Sequence, residues 1–261
     1  MAKKQRVDQL LVERGLAEDL EEAKRLVMAG KVLCDGQLLF APAQQIALDG
    51  ELSLIAEANY VSRGGEKLQA AFEEFGFSVE GLVCADVGAS TGGFTDCLLQ
   101  EGAARVYAVD VGYGVLDWRL RNDPRVVALE RTNARTLEIL PEPVRFITAD
   151  VSFISLKLIL PSLIDWYPEV GGEAVVLIKP QFEATREESA RGTGVISNPE
   201  IQRRVILEVL AFAADTGFET LGVTRSPLRG PAGNQEFLAW MRCLKDSGER
   251  GGWEEKVDAL F

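Results

Sequence analysis

Leu82-Val83-Cys84-Ala85-Asp86-Val87-Gly88-Ala89-Ser90-Thr91-Gly92-Gly93-Phe94-Thr95 decides how the rest of the chain is read. An apolar run leads into a glycine-rich turn, and Phe94, Cys97, Leu98 and Leu99 then recur at helical spacing. The order is strand, turn, helix. In an open α/β sheet such a turn sits at the carboxyl end of its strand, where ligands bind. Over Gly88 to Gly93 the turn matches Gly-x-x-x-x-Gly, but Phe94 stands where a phosphate-cradling P-loop carries lysine. Nor is it Gly-x-Gly-x-x-Gly, because Ser90 occupies the second glycine position.

A second apolar strand, Val106-Tyr107-Ala108-Val109, ends in Asp110. An acidic residue about 20 positions after the glycine turn is placed to hold a ribose diol. Asp86, the Gly-x-x-x-Gly-Gly of Gly88 to Gly93 and Asp110 together suggest adenosine without a pyrophosphate, and S-adenosylmethionine is the candidate. An ordinary βα turn would satisfy the same residues.

The chain has 261 residues, enough for one large or two modest domains with a full core. No apolar run approaches the ~20 residues that span a bilayer. The basic start, Met1-Ala2-Lys3-Lys4-Gln5-Arg6, is followed by no signal-like apolar stretch, so a cytoplasmic protein without membrane partners is expected. With no histidine, Ser-His-Asp and Cys-His catalysis are excluded. Cys34, Cys84, Cys97 and Cys243 form no Cys-x-x-Cys, so no zinc or redox pair is signalled, and no metal is expected. Acid–base work falls to Lys, Asp, Glu, Tyr or Cys. The net charge of −12 opposes non-specific nucleic-acid binding, so RNA would need a local basic face.

Val7, Leu10 and Leu11 are spaced as a helix that ends at Gly15. Asp19-Leu20-Glu21-Glu22 resembles a capping box, and Ala23, Leu26 and Val27 continue a second helix to Gly30. Asp35-Gly36 between short apolar runs predicts a hairpin, and residues 46–55 predict further small strands around Asp49-Gly50. This unit resembles the small RNA-binding domain first known from ribosomal protein S-four. The resemblance rests on residues 6–15 and on Ala23-Lys24-Arg25-Leu26-Val27-Met28-Ala29-Gly30-Lys31-Val32. It implies a basic RNA face built from Lys3, Lys4, Arg6, Lys24, Arg25 and Lys31, although Glu18, Asp19, Glu21 and Glu22 also suit a plain solvated surface.

Residues 56–59 read as a linker, giving expected domains of 1–59 and 60–261. Lys67, Leu68, Ala71, Phe72 and Phe75 predict a helix. Strands follow at 126–129, 144–147 and 174–178, helices at 156–164 and 200–216, and a closing strand pair at 220–224 and 236–241. Alternating strands and helices give a doubly wound α/β sheet. Beyond the glycine turn, Asp110, Asp150 and Lys179 fall at strand ends, where site residues gather. Asp150 also suits a helix N-cap, and Lys179 a lysine reaching to water.

Five stretches, in order, are similar to the TlyA family: Ser62-Arg63-Gly64-Gly65-Glu66-Lys67-Leu68; Asp86 to Thr95; Ala149-Asp150-Val151-Ser152-Phe153-Ile154-Ser155; Ile178-Lys179-Pro180-Gln181-Phe182-Glu183; and Gly233-Asn234-Gln235-Glu236-Phe237. Phe94, where a related FtsJ branch has Trp, fits this family. The resemblance implies an S-four-type RNA-binding domain joined to a Rossmann-like FtsJ methyltransferase domain. It implies methyl transfer from S-adenosylmethionine to the ribose 2′-hydroxyl of cytidine in ribosomal RNA, on the RNA or on ribosomal subunits. The family's Lys-Asp-Lys-Glu tetrad falls on Lys67, Asp150, Lys179 and Glu236. The implied cofactor contacts are Asp86, Gly88, Ser90, Thr91, Gly92, Gly93, Phe94, Asp110, Asn133 and Asp150, with Arg63 joining the RNA-binding cations. Two other classes remain from the sequence: a non-catalytic RNA-binding or ribosome-assembly protein, and a membrane-active haemolysin, a name this family also carries.

Overall fold

The computed structural model describes residues 3–54, 59–243 and 251–261. Met1, Ala2, Ile55 and linker residues 56–58 lie outside the described residues. The chain divides into two compact units, Met1–Ala58 and Asn59–Phe261.

In the first unit, β1 (Lys4–Arg6) leads into α1 (Val7–Glu13), α2 (Leu20–Met28), β2 (Val32–Cys34), β3 (Gln37–Leu39), β4 (Gln45–Ala47) and β5 (Leu52–Leu54). The Asp19 side chain accepts from Glu22 N at 2.8 Å, while Glu22 Oε2 accepts from Glu18 N at 2.6 Å. The capping exchange therefore reaches one residue further back than a standard box. Asp35 and Gly36 both take positive φ, as a two-residue hairpin turn requires, and Cys34 pairs with Gln37. The strands around Asp49-Gly50 do not pair with each other: β4 pairs with β1, and β5 with β2. Val7, Leu10, Leu11, Ala23, Val27 and Val32 close a small core of their own.

In the second unit α3 (Gly64–Phe75) precedes β6 (Val83–Val87), α4 (Gly93–Gln100), β7 (Arg105–Val109), α5 (Trp118–Arg121), β8 (Val126–Leu129) and β9 (Phe146–Ala149). Then come α6 (Leu160–Leu163), β10 (Gly172–Ile178), α7 (Pro180–Glu183), α8 (Arg186–Arg191), α9 (Pro199–Thr216), β11 (Phe218–Arg225), β12 (Phe237–Cys243) and α10 (Trp253–Asp258). The helix expected over 156–164 is instead a 3₁₀ turn, Leu156–Leu158, followed by the four-residue α6. Pro161 has no N–H to bond back into the preceding turn, so a continuous helix cannot form.

Seven strands pair in the order β11-β12-β10-β9-β6-β7-β8, with β12 antiparallel to both neighbours. Side chains alternate strictly between two cores. Ala85, Val87, Val176 and Ile178 join the face covered by Ile206, Val209 and Leu210 of α9. Cys84, Val106, Phe146, Val175, Leu177 and Leu238 join the face covered by Leu68 of α3 and Leu98 of α4. Burial on both faces is why these strands read as unbroken apolar runs. The alternation also sets up the site. Asp150 continues the parity of Phe146, Lys179 that of Leu177, and Glu236 that of Leu238, so all three fall on the α3 face. Because β12 runs backwards, the residue before it shares the edge at which β9 and β10 end.

Candidate active site

Lys67 reaches this edge from the first turns of α3 because that helix starts against the glycine turn. A Cβ on Gly93 would lie 2.4 Å from Ser62 Oγ and 2.8 Å from Gly65 N, so no side chain fits between turn and helix. There Lys67 Nζ donates to Glu236 Oε2 at 2.7 Å and lies 3.7 Å from Asp150 Oδ2. Lys179 Nζ lies 2.5 Å from Asp150 Oδ1 and donates to Ser152 Oγ at 2.9 Å. The Lys179–Asp150 approach is an ion pair off the hydrogen-bonding direction, and it leaves Asp150 Oδ1 buried without a hydrogen-bond donor. Two amines and two carboxylates thus form one chain, Glu236–Lys67–Asp150–Lys179, whose formal charges cancel.

The chain is mostly withdrawn from water. Glu236 is 1% exposed and Lys179 7%, where unpaired charges would be costly. Gln181 Nε2 donates to Glu236 Oε1 at 3.3 Å, and a Cβ on Gly230 would meet that same oxygen at 2.7 Å. The loop is therefore glycine where it crosses the carboxylate. All four groups line a cavity of about 560 Å³, within the ~300–1,000 Å³ range of small-molecule sites. Gly88, Ser90, Thr91, Gly93, Phe94 and Arg63 line it too.

A small hollow shares Ala89 and Ser90 with this cavity and is walled by Ala108, Val115, Leu116, Asp110 and Glu130. Asp110 Oδ2 accepts from Ser90 N at 2.8 Å and Oδ1 from Gly112 N at 2.6 Å. A carboxylate offers about four lone-pair positions, so two remain for a diol. The hollow itself holds only about 10 Å³, room for one water, so it is no preformed base pocket. What fits an adenosyl sulfonium compound is the pair of carboxylates at the glycine turn, Asp110 for a ribose and Asp150 for a cationic centre.

Three expected cofactor contacts sit elsewhere. Asp86 is fully buried, and its oxygens accept from Thr95 Oγ1 at 2.7 Å and Thr148 Oγ1 at 3.0 Å. Burial pushes its carboxyl up to about 6. It braces the turn from behind and lines neither cavity. Gly92, with φ +97°, is required by packing, since a Cβ would lie 2.2 Å from Leu120 Cδ1. Asn133 is exposed, and its Oδ1 caps Arg135 N at 3.0 Å outside both cavities.

In the first unit, Lys3, Lys4 and Arg25 are exposed and form no ion pair among the described residues. Arg6 instead makes a two-pronged contact of 3.0 and 2.5 Å with Asp8, which is 1% exposed, and Lys24 pairs with Glu21 at 2.7 Å. Lys31 is half-buried.

Residues 60–243 match the FtsJ-like methyltransferase family, and residues 5–47 match the S4 domain. The chain is 46% identical over 250 residues to the 16S/23S rRNA (cytidine-2′-O)-methyltransferase TlyA of Mycobacterium tuberculosis, covering 94% of this chain and 92% of that one. The chain belongs to the TlyA family. It is also 40% identical to Hemolysin A of Brachyspira hyodysenteriae, over 90% of this chain and 98% of that one. A solved hemolysin-named structure from Streptococcus thermophilus superposes with a TM-score of 0.75 at 43% identity, covering 100% of this chain and 95% of that chain. Among the described residues of this TlyA-family chain, no helix is long and apolar enough to cross a membrane.

Several residues at the site had no role assigned from the sequence. Ser152, Gln181 and Asn234 lay inside the matched stretches, but what they touch depends on loops distant in the chain. Asn234 is 2% exposed; its Oδ1 accepts from Ile196 N at 2.8 Å and its Nδ2 donates to Gly194 O at 2.9 Å. One carboxamide thereby ties the 192–196 loop to the loop that leads into Glu236. Phe153, at the cavity rim, is a 91%-exposed aromatic.

Proposed function

We propose that this chain transfers a methyl group from S-adenosylmethionine to the ribose 2′-hydroxyl of cytidine in ribosomal RNA, with the S4 unit binding RNA. The observation that carries the reading is the Glu236–Lys67–Asp150–Lys179 chain lining one cavity beside the Asp110 hollow. When bound, S-adenosylmethionine supplies an electrophilic methyl group on a sulfonium centre. Gly88, Ser90, Thr91, Gly93 and Phe94 would flank it, Asp110 would hold its ribose, and Asp150 would face both reactants.

A ribose hydroxyl is a weak acid and a poor nucleophile, so it must be held in line and lose its proton as the new bond forms. Lys179 Nζ orients the hydroxyl oxygen and is the group placed to receive that proton. Ser152 Oγ, hydrogen-bonded to Lys179 and itself exposed, leads the proton to water. Lys67 and Asp150 hold Lys179 in position, and Glu236 fixes Lys67. No step requires a metal.

Incubating the protein with labelled S-adenosylmethionine and ribosomal subunits lacking this modification tests the reading. Cofactor-dependent 2′-O-methylcytidine is the expected product; its absence from both subunits would overturn the assignment.

A further inference from the structure

A methylated nucleotide does not arrive alone. If the ribose of an RNA strand sits at Lys179, its neighbours are still attached through phosphates and must leave over the cavity rim. Beside that rim lies a second, more open groove of about 430 Å³, which shares Phe153, Gln181 and Phe182 with the main cavity.

The shared wall is held under strain. Phe153 has φ +66°, a left-handed conformation uncommon for a bulky residue, and its ring lies 5.3 Å from that of Phe182. Glu183 keeps the loop in this shape by accepting from Ser155 Oγ at 2.6 Å and Leu156 N at 2.7 Å. Beyond the wall Ile154, Ala184 and the 52%-exposed Leu158 line the groove together with the hydroxyl residues Ser155 and Ser189. Its one charged wall residue is Arg186, which has no ion pair among the described residues. Of the carboxylates that follow it, Glu188 is taken by Arg204 at 2.8 Å, and Glu187 is exposed and does not line the groove. Apolar and aromatic surface for a base, with a single uncommitted guanidinium at the edge, is the chemistry of a nucleotide subsite.

We propose that this groove receives the nucleotide adjacent to the methylated one, its base against Phe182 and Leu158 and its phosphate at Arg186. The proposal rests on reading the main cavity as the site of ribose methylation. It predicts that substrate recognition extends one nucleotide past the target, on surface that touches neither cofactor nor reacting atoms.

The experiment compares wild type, Arg186→Glu and Leu158→Asp on unmodified ribosomal subunits, with S-adenosylmethionine affinity and thermal unfolding measured alongside. Each variant should raise KM for subunits about tenfold and leave kcat and cofactor affinity unchanged. A photo-reactive benzophenone side chain placed at position 158 should crosslink to a nucleotide next to the methylated cytidine. If wild type methylates, an unchanged KM in both variants overturns the proposal, and so does a crosslink that is absent or maps elsewhere. If wild type methylates no subunit, the reading of the main cavity fails first, and the subsite falls with it.

Discussion

Two sets of cations in this acidic chain are placed in opposite ways. Lys3, Lys4 and Arg25 of the first unit stand in water without ion-pair partners among the described residues. Lys67 and Lys179 of the second are 12% and 8% exposed at their side chains, and each is matched by a carboxylate. Exposed cations can attract phosphate from a distance but cannot be held to fractions of an ångström. Buried, paired cations are the reverse. Binding and chemistry call for differently solvated cations, and this chain carries both kinds.

The contrast is broken most sharply at Lys179. Lys179→Ala should lower single-turnover methyl transfer by roughly 10³-fold, within the range for a general base, with S-adenosylmethionine binding retained. Next comes Ser152→Ala, expected to lower kcat by about tenfold at unchanged KM, with Ser152→Thr restoring most of it. A KM change without a kcat change would remove Ser152 from the proton path. In the first unit, Lys3→Ala, Lys4→Ala and Arg25→Ala combined should weaken RNA binding by about tenfold and flatten its salt dependence by roughly two ions, leaving kcat alone. An unchanged salt slope would assign those cations to a merely solvated face.

The smallest effect concerns Asp86 and stability. Its folded value of about 6 lies above the ordinary 3.8. Between those values the folded state keeps a proton that the unfolded chain has released. The contribution of Asp86 to stability is therefore fullest below about pH 4 and falls as pH rises through 6. Asp86→Asn removes this dependence, so Tm of the variant minus Tm of wild type should increase from pH 4 to pH 7. A difference that stays flat with pH would contradict the assignment.

Much of this geometry was open to reading from the chain, for physical reasons. Continuous apolar runs buried on both faces announce the sheet, and strand-end polar residues announce its working edge. Asp110, Asp150 and Lys179 could therefore be picked out by position, and two-residue alternation places Glu236 on the same face. Lys67 could not be reached that way. It sits on a helix, and its approach depends on the missing side chains of Gly65 and Gly93. Asp86 before the turn and Gly92 within it are both expected at the cofactor, yet one is turned inward to two threonines and the other makes room for Leu120. Asn234 was invisible in function because its two partners lie about forty residues away.

Lys67, Asp150, Lys179 and Glu236 are expected to work as one device. Single-turnover rates for Lys67→Ala, Glu236→Ala and the double variant, at saturating S-adenosylmethionine, test it directly. The double variant should be no slower than the slower single, because Glu236 acts through Lys67. Losses that multiply, or a Glu236→Ala enzyme as fast as wild type, would contradict it.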